Sequence, residues 1–434
     1  EDLTTLGVPP VRVLSPYQLL KGAYALKGYE MRLVDMEGSL FIFDEIHAYE
    51  PARLALIVSL MGWLAQHLGC RCRVMTAPRP PTVRRAVGEA LPGCAVISAT
   101  PSVFARSQRH TVHLLEGELS TPEMLDRIAQ EAAAGRSPLV CANTVGRAIM
   151  LYRELRDRLP DWAGEGRVIL LHSRFNARDR RAIERRLLEM AGVGVERQAP
   201  VVVVATQVVE VSLDINLDVL YTDPAPLEAL LQRFGRVNRG QPPGPLKPVY
   251  VCTQPDDGQR VYRADLVRAG LEALRDIDGQ AVDESRVDDR LASVYQGERA
   301  SAWRRQYRQA AAEFGEVVLG RVRPFQSADE WQVKTFYRLF DGIEVLPLAF
   351  EDAFREHQKA GEYIEAYSLL VPLSYSLYAG LERAGVAWRE PQRKGDPLYL
   401  VDGPYDPTTG LDLEAARAAR RQADSSEEWG ELEG

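Results

Sequence analysis

The chain is poor in cysteine. Its five, Cys70, Cys72, Cys94, Cys141 and Cys252, are odd in number and scattered, and no Cys-x-x-Cys pair occurs. That argues against a disulfide framework or a cysteine zinc site, and a Cys70–Cys72 metal site lacks further partners, so the thiols read as the reduced ones of a cytoplasmic protein. Long apolar runs are missing too. The longest, Leu54 to Leu68, is broken by Ser59, Gly62 and Gln66, and it falls short of the ~20 residues that a spanning helix needs. No membrane partner is expected. The opening residues, Glu1-Asp2, precede no basic region followed by an apolar stretch, so no signal peptide is expected, and the absence of an initial Met suggests a piece of something longer or processed. Internal repeats and low-complexity tracts are absent. An overall basic charge is also absent: the net charge is −8 and the pI about 5.5, which counts mildly against a nucleic-acid binder.

What is present is an ordinary globular balance, 46% apolar and 26% charged residues over 434 positions, enough for about three domains at roughly 150 residues each. The charge is uneven. Arg174, Arg178, Arg180, Arg181, Arg185 and Arg186 crowd one stretch against only Asp179 and Glu184, and the segment 424–433 carries acids alone. A basic groove on an acidic protein is consistent with screening over about 8–10 Å.

The first 250 or so residues alternate apolar runs with helical patterns. Strands are expected at 39–43, 73–75, 95–97, 138–142, 168–171, 201–205, 219–221 and 248–252. Helices are expected at 53–67, 122–134, 145–159, 177–190 and 226–234. Continuous Val/Ile/Leu strands separated by helices indicate parallel sheets covered on both faces, with ligands at the carboxyl ends of the strands. Gly240 to Pro245 is a turn-rich break, and residues 256–434 turn mainly helical. His110 and His113 read as surface or strand histidines.

Three constellations carry chemistry. In Phe41-Ile-Phe-Asp44-Glu45-Ile46-His47, a strand emerges into two acids. Asp44 suits the Mg²⁺ that neutralises nucleotide phosphates, Glu45 suits orienting and deprotonating the attacking water, and His47 suits coupling to a neighbouring lobe. The competing reading is a plain helix N-terminus, where acids complement the dipole. In Gln232-Arg233-Phe234-Gly235-Arg236-Val237-Asn238-Arg239, the residues Gln232, Arg236 and Arg239 fall on one helical face. Arginines from a facing lobe stabilise charge on a γ-phosphate; the alternative is a solvated basic helix end. In Val204 to Asp214 a buried strand runs into Thr206-Gln207 and then Asp214. Thr206 suits a nucleic-acid phosphate, while Asp214 suits a ribose hydroxyl or one of those arginines. Two weaker pieces are Asn143-Thr144, able to touch a phosphate backbone, and His172-Ser173-Arg174-Phe175, with Phe175 available to stack on a base.

In that order, Asp-Glu-x-His, Ala-Thr-Gln-x-x-Glu and Gln-x-x-Gly-Arg-x-x-Arg resemble a superfamily 2 helicase. Asp44 to Tyr49, His172 to Arg181 and Ala205 to Asp214 are similar to the CRISPR-associated helicase–nuclease of type I systems. Phe336 to Asp341 and Tyr405 to Leu411 are similar to that family's C-terminal domain. The resemblance implies an α/β fold: a partial first RecA-like lobe over 1–117, a second lobe over 118–253, and a linker with a mainly helical accessory domain over 254–434. It implies ATP and Mg²⁺ as cofactors, Asp44 as the metal-holding residue, and Glu45, Asp44, His47, Gln232, Arg236 and Arg239 as catalytic residues. Asp214 joins Gln232, Arg236 and Arg239 in nucleotide binding. Asn143, Thr144, His172, Arg174, Phe175, Thr206 and Gln207 are the implied nucleic-acid contacts. The implied activity is ATP-driven 3′-to-5′ movement on single-stranded DNA. The implied partners are that strand, an RNA-guided surveillance complex, and a nuclease domain or subunit not present in this chain.

The sequence departs from the family in two places. The phosphate loop Gly-x-x-x-x-Gly-Lys-[Ser/Thr] does not occur, and only 43 residues precede Asp44. Hydrolysis by this chain alone is therefore expected to be poor or absent. Nor does a His-Asp doublet occur, so no nuclease site is assigned. The segment from Val13 to Leu19 resembles a DNA-contacting motif of the first lobe. The coupling motif is either Thr76-Ala77, at the expected spacing, or Ser98-Ala99-Thr100, with the expected letters. Other readings are a different superfamily 2 helicase and a non-catalytic nucleic-acid-binding relic.

Overall fold

Strands built of continuous Val, Ile and Leu need cover on both faces, and in the computed structural model those of one region have it while those of another do not. The structure describes residues 11–46, 49–76, 80–211, 213–240, 245–254, 261–323, 325–326, 328–339, 342–391 and 397–418. The chain divides into two compact units, one of residues 1–100 and 285–340, the other of 101–284 and 341–434. The turn-rich break falls largely on residues 241–244, and it lies with the acidic 424–433 tail outside the described residues.

The second unit is built on a six-stranded sheet of β3 (His110–Leu115), β4 (Pro138–Cys141), β5 (Val168–Leu171), β6 (Val202–Ala205), β7 (Val219–Thr222) and β8 (Lys247–Cys252), numbered after the two strands of the first unit, β1 (Leu40–Asp44) and β2 (Arg71–Met75). Its order is β3-β8-β7-β4-β6-β5 and every pairing is parallel. Helices Pro122–Ala133, Val145–Arg158, Ala177–Ala191 and Leu227–Phe234 form the crossovers, as parallel pairing requires. Thr121, Thr144 and Asn176 cap three of them by accepting backbone N–H bonds. All residues of β4 to β7 are buried.

β3 was not among the expected strands. It pairs with β8 along its whole length, so residues 101–117 pack with the second unit and not, as expected, with the first lobe. The reverse holds for 95–97, which is irregular and exposed; an apolar triplet becomes a strand only where a neighbour pairs its backbone.

The region beyond β8 is not one body. Residues 285–340 return to the first unit, where Trp303, Phe314, Val318 and Phe336 join Leu20, Tyr24, Met61 and Leu64 in one core. Residues 342–418 stay with the second unit and add strands to the expected helices: β9 (Gly342–Pro347), β10 (Val371–Ser374), β11 (Ala387–Glu390) and β12 (Leu398–Val401) form a mixed sheet of order β10-β9-β12-β11. A short hairpin of β13 (Tyr405–Asp406) and β14 (Gly410–Leu411) follows. Glu344 interrupts β9, and Arg389 and Glu390 end β11, whereas β10 and β12 carry no charge and the apolar run Leu398–Val401 was passed over. No helix among the described residues is long and apolar enough to cross a membrane.

Candidate functional site

In the first unit, β1 and β2 pair in parallel with Asp44 opposite Met75. The ladder's last bond is from the Glu45 N–H to the Met75 carbonyl, 3.0 Å. Glu45 then takes φ +53°, a left-handed turn uncommon for a residue with a Cβ, and the burial of Ile46 behind it anchors the turn. Asp44 is left exposed at the strand's carboxyl end. An exposed carboxylate there, followed by a second on a sharp turn, is a donor set for a divalent cation and its water. Thr76 follows β2 beside this turn, whereas Ser98, Ala99 and Thr100 lie exposed in an irregular segment. His47 and Ala77 lie outside the described residues.

In the second unit the parallel sheet brings the ends of β4, β5, β6 and β7 to one edge. Asn143 follows β4 and is buried: its N–H donates to Asp223 Oδ2 (3.0 Å) and its side-chain amide to the Pro224 carbonyl (2.9 Å). Thr144 beside it is half-buried and caps the following helix. Asp223, at the end of β7, pairs with Arg147 at 2.8 Å with both side chains buried, and burial nonetheless raises its carboxyl above the usual range. Thr206 is buried, its N–H bonded to the Leu171 carbonyl at 3.2 Å. Gln207 is half-buried, and its amide donates to the Asn143 carbonyl at 2.7 Å. A depression of about 300 Å³ opens beside it, lined by Arg180, Arg181, Glu184, Val208 and Val211 among others.

The Gln232–Arg239 constellation departs from its expected geometry. The helix ends at Phe234, Val237 bridges to Leu217, and Asn238 takes φ +54°. Gln232, Arg236 and Arg239 therefore do not share one helical face; the burial of Val237 and Asn238 turns the chain out of the helix. Arg236 is buried, donating to the carbonyls of Leu213 (2.5 Å) and Glu210 (2.7 Å). Arg239 pairs with Asp214 at 2.9 Å, the second of the two partners expected for that carboxylate. The residue that follows Gln232, Arg233, was passed over by sequence reasoning although it is fully buried. It donates to Glu210 Oε1 (2.9 Å), Thr222 Oγ1 (2.7 Å), Asn143 Oδ1 (3.1 Å) and the Tyr262 hydroxyl (3.1 Å). Nothing in the motif's letters separates this arginine from its neighbours.

The expectation that Phe175 stacks on a base is corrected. Phe175 is buried, and so is His172, whose ring stacks on it with centroids 4.4 Å apart. His172 Nδ1 accepts the Arg174 N–H (3.1 Å), so Nε2 is left to donate to the Thr409 carbonyl (3.1 Å). Burial, reinforced by Arg174, lowers this imidazole's pKa to about 3, and it is neutral at ordinary pH. The Arg174 carbonyl accepts the Leu411 N–H at 2.9 Å, while Asp412 and Glu414 face the Arg174 guanidinium. Tyr405 accepts from the Asn176 N–H (3.1 Å) and donates to Asp179 (2.8 Å). Two resembling stretches, far apart in sequence, thus dock on one another; His172 and Phe175 serve that packing.

A wholly parallel sheet with polar turns at its strand ends, crossed by helices on the way, defines the class: an α/β protein. Comparison with known proteins then shows what the chain is similar to. Residues 134–242 match the family described as CRISPR-associated nuclease/helicase Cas3, C-terminal. The CRISPR-associated endonuclease/helicase Cas3 of Thermus thermophilus is 30% identical over 355 residues, covering 66% of this chain and 38% of that protein. Its namesake from Escherichia coli is 36% identical over 116 residues, 27% of this chain and 13% of that one. The chain thus spans well under half the length of these curated relatives. Among solved structures, T. fusca Cas3-ADP matches with a TM-score of 0.69 at 18% identity, over 91% of this chain and 56% of that chain. A chain of a CRISPR RNA-guided surveillance complex, pre-nicking, matches with a TM-score of 0.57 at 19% identity, over 91% and 59%. Sequence and fold together relate this chain to the helicase portion of the Cas3 proteins.

Proposed function

We propose that the chain is part of an ATP-dependent 3′-to-5′ translocase on single-stranded DNA that acts in type I CRISPR interference. The observation that carries this reading is the gathering of Asn143, Thr144, Thr206 and Gln207 at one edge of the parallel sheet, with Arg233 tying that edge to the Gln232–Arg239 turn. Thr144 and Gln207, half-buried at helix and strand ends, are the groups placed to meet a phosphate backbone, and Arg180 and Arg181 line the adjoining depression. The names of the similar Cas3 proteins support the choice of ATP and of a surveillance complex and a nuclease as partners.

The donor set fits a magnesium nucleotide in part. Asp44 would hold the metal, which when bound neutralises phosphate charge. Glu45, on its left-handed turn, would orient the attacking water and take its proton. Gln232, Arg236 and Arg239 are the positions proposed for nucleotide contact; Arg236 reaches a phosphate only by leaving the Leu213 and Glu210 carbonyls. The phosphate loop's glycines and lysine are not among these 434 residues, and hydrolysis by this chain alone is expected to be weak. The test is ATPase activity with and without single-stranded DNA, on this chain and on one extended upstream. Hydrolysis confined to the extended chain, and abolished by Glu45→Gln, supports the motor. An extended chain that binds DNA in a salt-sensitive way yet never hydrolyses ATP overturns it in favour of a binding module.

A further inference from the structure

Arg233 has no exposed surface, and a guanidinium is taken out of water only where most of its donors find acceptors. Here the acceptors come from four places in the chain. Asn143 follows β4, Thr222 and Asp223 end β7, Glu210 lies four residues beyond Thr206 at the end of β6, and Tyr262 precedes the helix Ala264–Arg275. Tyr262 closes the ring of contacts. Its hydroxyl accepts from Arg233 at 3.1 Å and donates to Glu210 Oε1 at 3.4 Å, the oxygen that Arg233 Nε also holds at 2.9 Å. Gln207 is tied to the same carboxylate through the backbone, its carbonyl accepting the Glu210 N–H at 3.0 Å. Burial holds the phenol near 12, so it remains a neutral donor and acceptor throughout the working range. One oxygen therefore touches the carboxylate that follows the DNA-facing Gln207 and the arginine inside the turn that carries Gln232, Arg236 and Arg239.

We propose that the Tyr262 hydroxyl is a positioning group, outside the sheet, that transmits DNA contact at Gln207 to the Gln232–Arg239 turn through Glu210 and Arg233. This rests on the function proposed above. A shift of Gln207 on binding a strand moves Glu210, whose N–H its carbonyl holds. Tyr262 and Arg233 share Glu210 Oε1, so Arg233 follows, and with it the turn in which it is embedded. A loose contact would absorb such a shift; a hydrogen-bonded cluster passes it on.

The experiment uses the upstream-extended chain carrying Tyr262→Phe, which removes one oxygen and leaves the ring in place. DNA-stimulated kcat is expected to fall about tenfold, while DNA-free kcat and the KM for ATP stay within about twofold. The melting temperature is expected to stay within about 3 °C of the parent, because one partly exposed hydrogen bond contributes roughly 1 kcal/mol. Glu210→Gln should lower stimulation in the same direction, and the double variant should lose little more than the worse single one. Full DNA stimulation in Tyr262→Phe overturns the proposal. So does an equal fall of basal and stimulated kcat accompanied by a lower melting temperature, which marks a purely structural role. A parent chain that never hydrolyses ATP, or is not stimulated by DNA, instead overturns the motor reading and this inference with it.

Discussion

β1 and β7 are both short parallel strands rich in large apolar residues, and their surroundings differ. All four residues of β7 are buried between helices on both faces. β1 has one partner strand among the described residues, and Leu40 and Ile42 on it are 47% and 60% exposed. The acids Asp44 and Glu45 extend from the barer of the two, whereas the buried Arg233 and Asp223 serve the covered one. Bare parallel strands are unusual in folded proteins, because the apolar face that covering helices would bury contributes much of the sheet's stability. The contrast teaches that a catalytic-looking pair can be fully spelled out in sequence while the strand beneath it is only half supported.

The largest effect should separate the two strands directly. Leu220→Ala in β7, at a fully buried position, is expected to destabilise by about 2–5 kcal/mol, and Leu40→Ala in β1 by no more than about 0.5 kcal/mol. Chemical denaturation of both variants checks this, and a large cost at Leu40 would show that β1 is covered in solution.

The next effect is pH-dependent and belongs to the second unit. Burial lowers the pKa of His110 to about 4 and that of His172 to about 3, while the described histidine of the first unit, His67, is exposed. The native state refuses protons that the unfolded chain takes up below pH 6.5. This stability is intact above that value and is lost as pH falls toward 4, on the order of 3 kcal/mol per imidazole. Hydrogen exchange resolved along the sequence should show residues 101–284 loosening in acid before the first unit. Equal loosening of both units would remove the buried imidazoles as its cause.

A smaller effect tests the docking of the C-terminal hairpin. Gly410 takes φ +70°, and a Cβ on it would lie 2.6 Å from the Arg174 carbonyl and 2.9 Å from the His172 ring. Gly410→Ala is expected to cost about 1–3 kcal/mol. In thermal melts the loss should be confined to the second unit, and an unchanged melt would mean that the hairpin does not hold His172.

How much of this was legible beforehand follows periodicity and local sterics. Continuous apolar strands such as Val202–Ala205 and periodic helices such as Val145–Arg158 are marked locally, and the structure places them within a residue or two of expectation. β9 and β11 carry charged residues and offered no such signal, whereas the apolar run Leu398–Val401 of β12 was passed over. At the site, Asp214 was read with two possible partners, and Arg239 is the one the structure shows. Phe175 was misread because an aromatic after a strand has the same letters whether it faces a strand of DNA or a neighbouring hairpin. Arg236 and Arg239 were misread as helical because one buried valine, Val237, ends the helix by a bridge to a residue twenty positions away.

The sequence by itself determined the alternation of strands and helices and the identity of the polar residues at strand ends, because both rest on nearest-neighbour chemistry: apolar period, caps, and acids or arginines at a fixed spacing. Only the tertiary structure decided which of those polar groups face outward and which are locked within. It sank Arg233 and His172, left Asp44 and Gln207 at least partly accessible, returned residues 285–340 to the first unit, and brought Tyr262 against Glu210. Burial and hydrogen-bond partners are set by segments distant in the chain, and no local pattern encodes where those segments arrive.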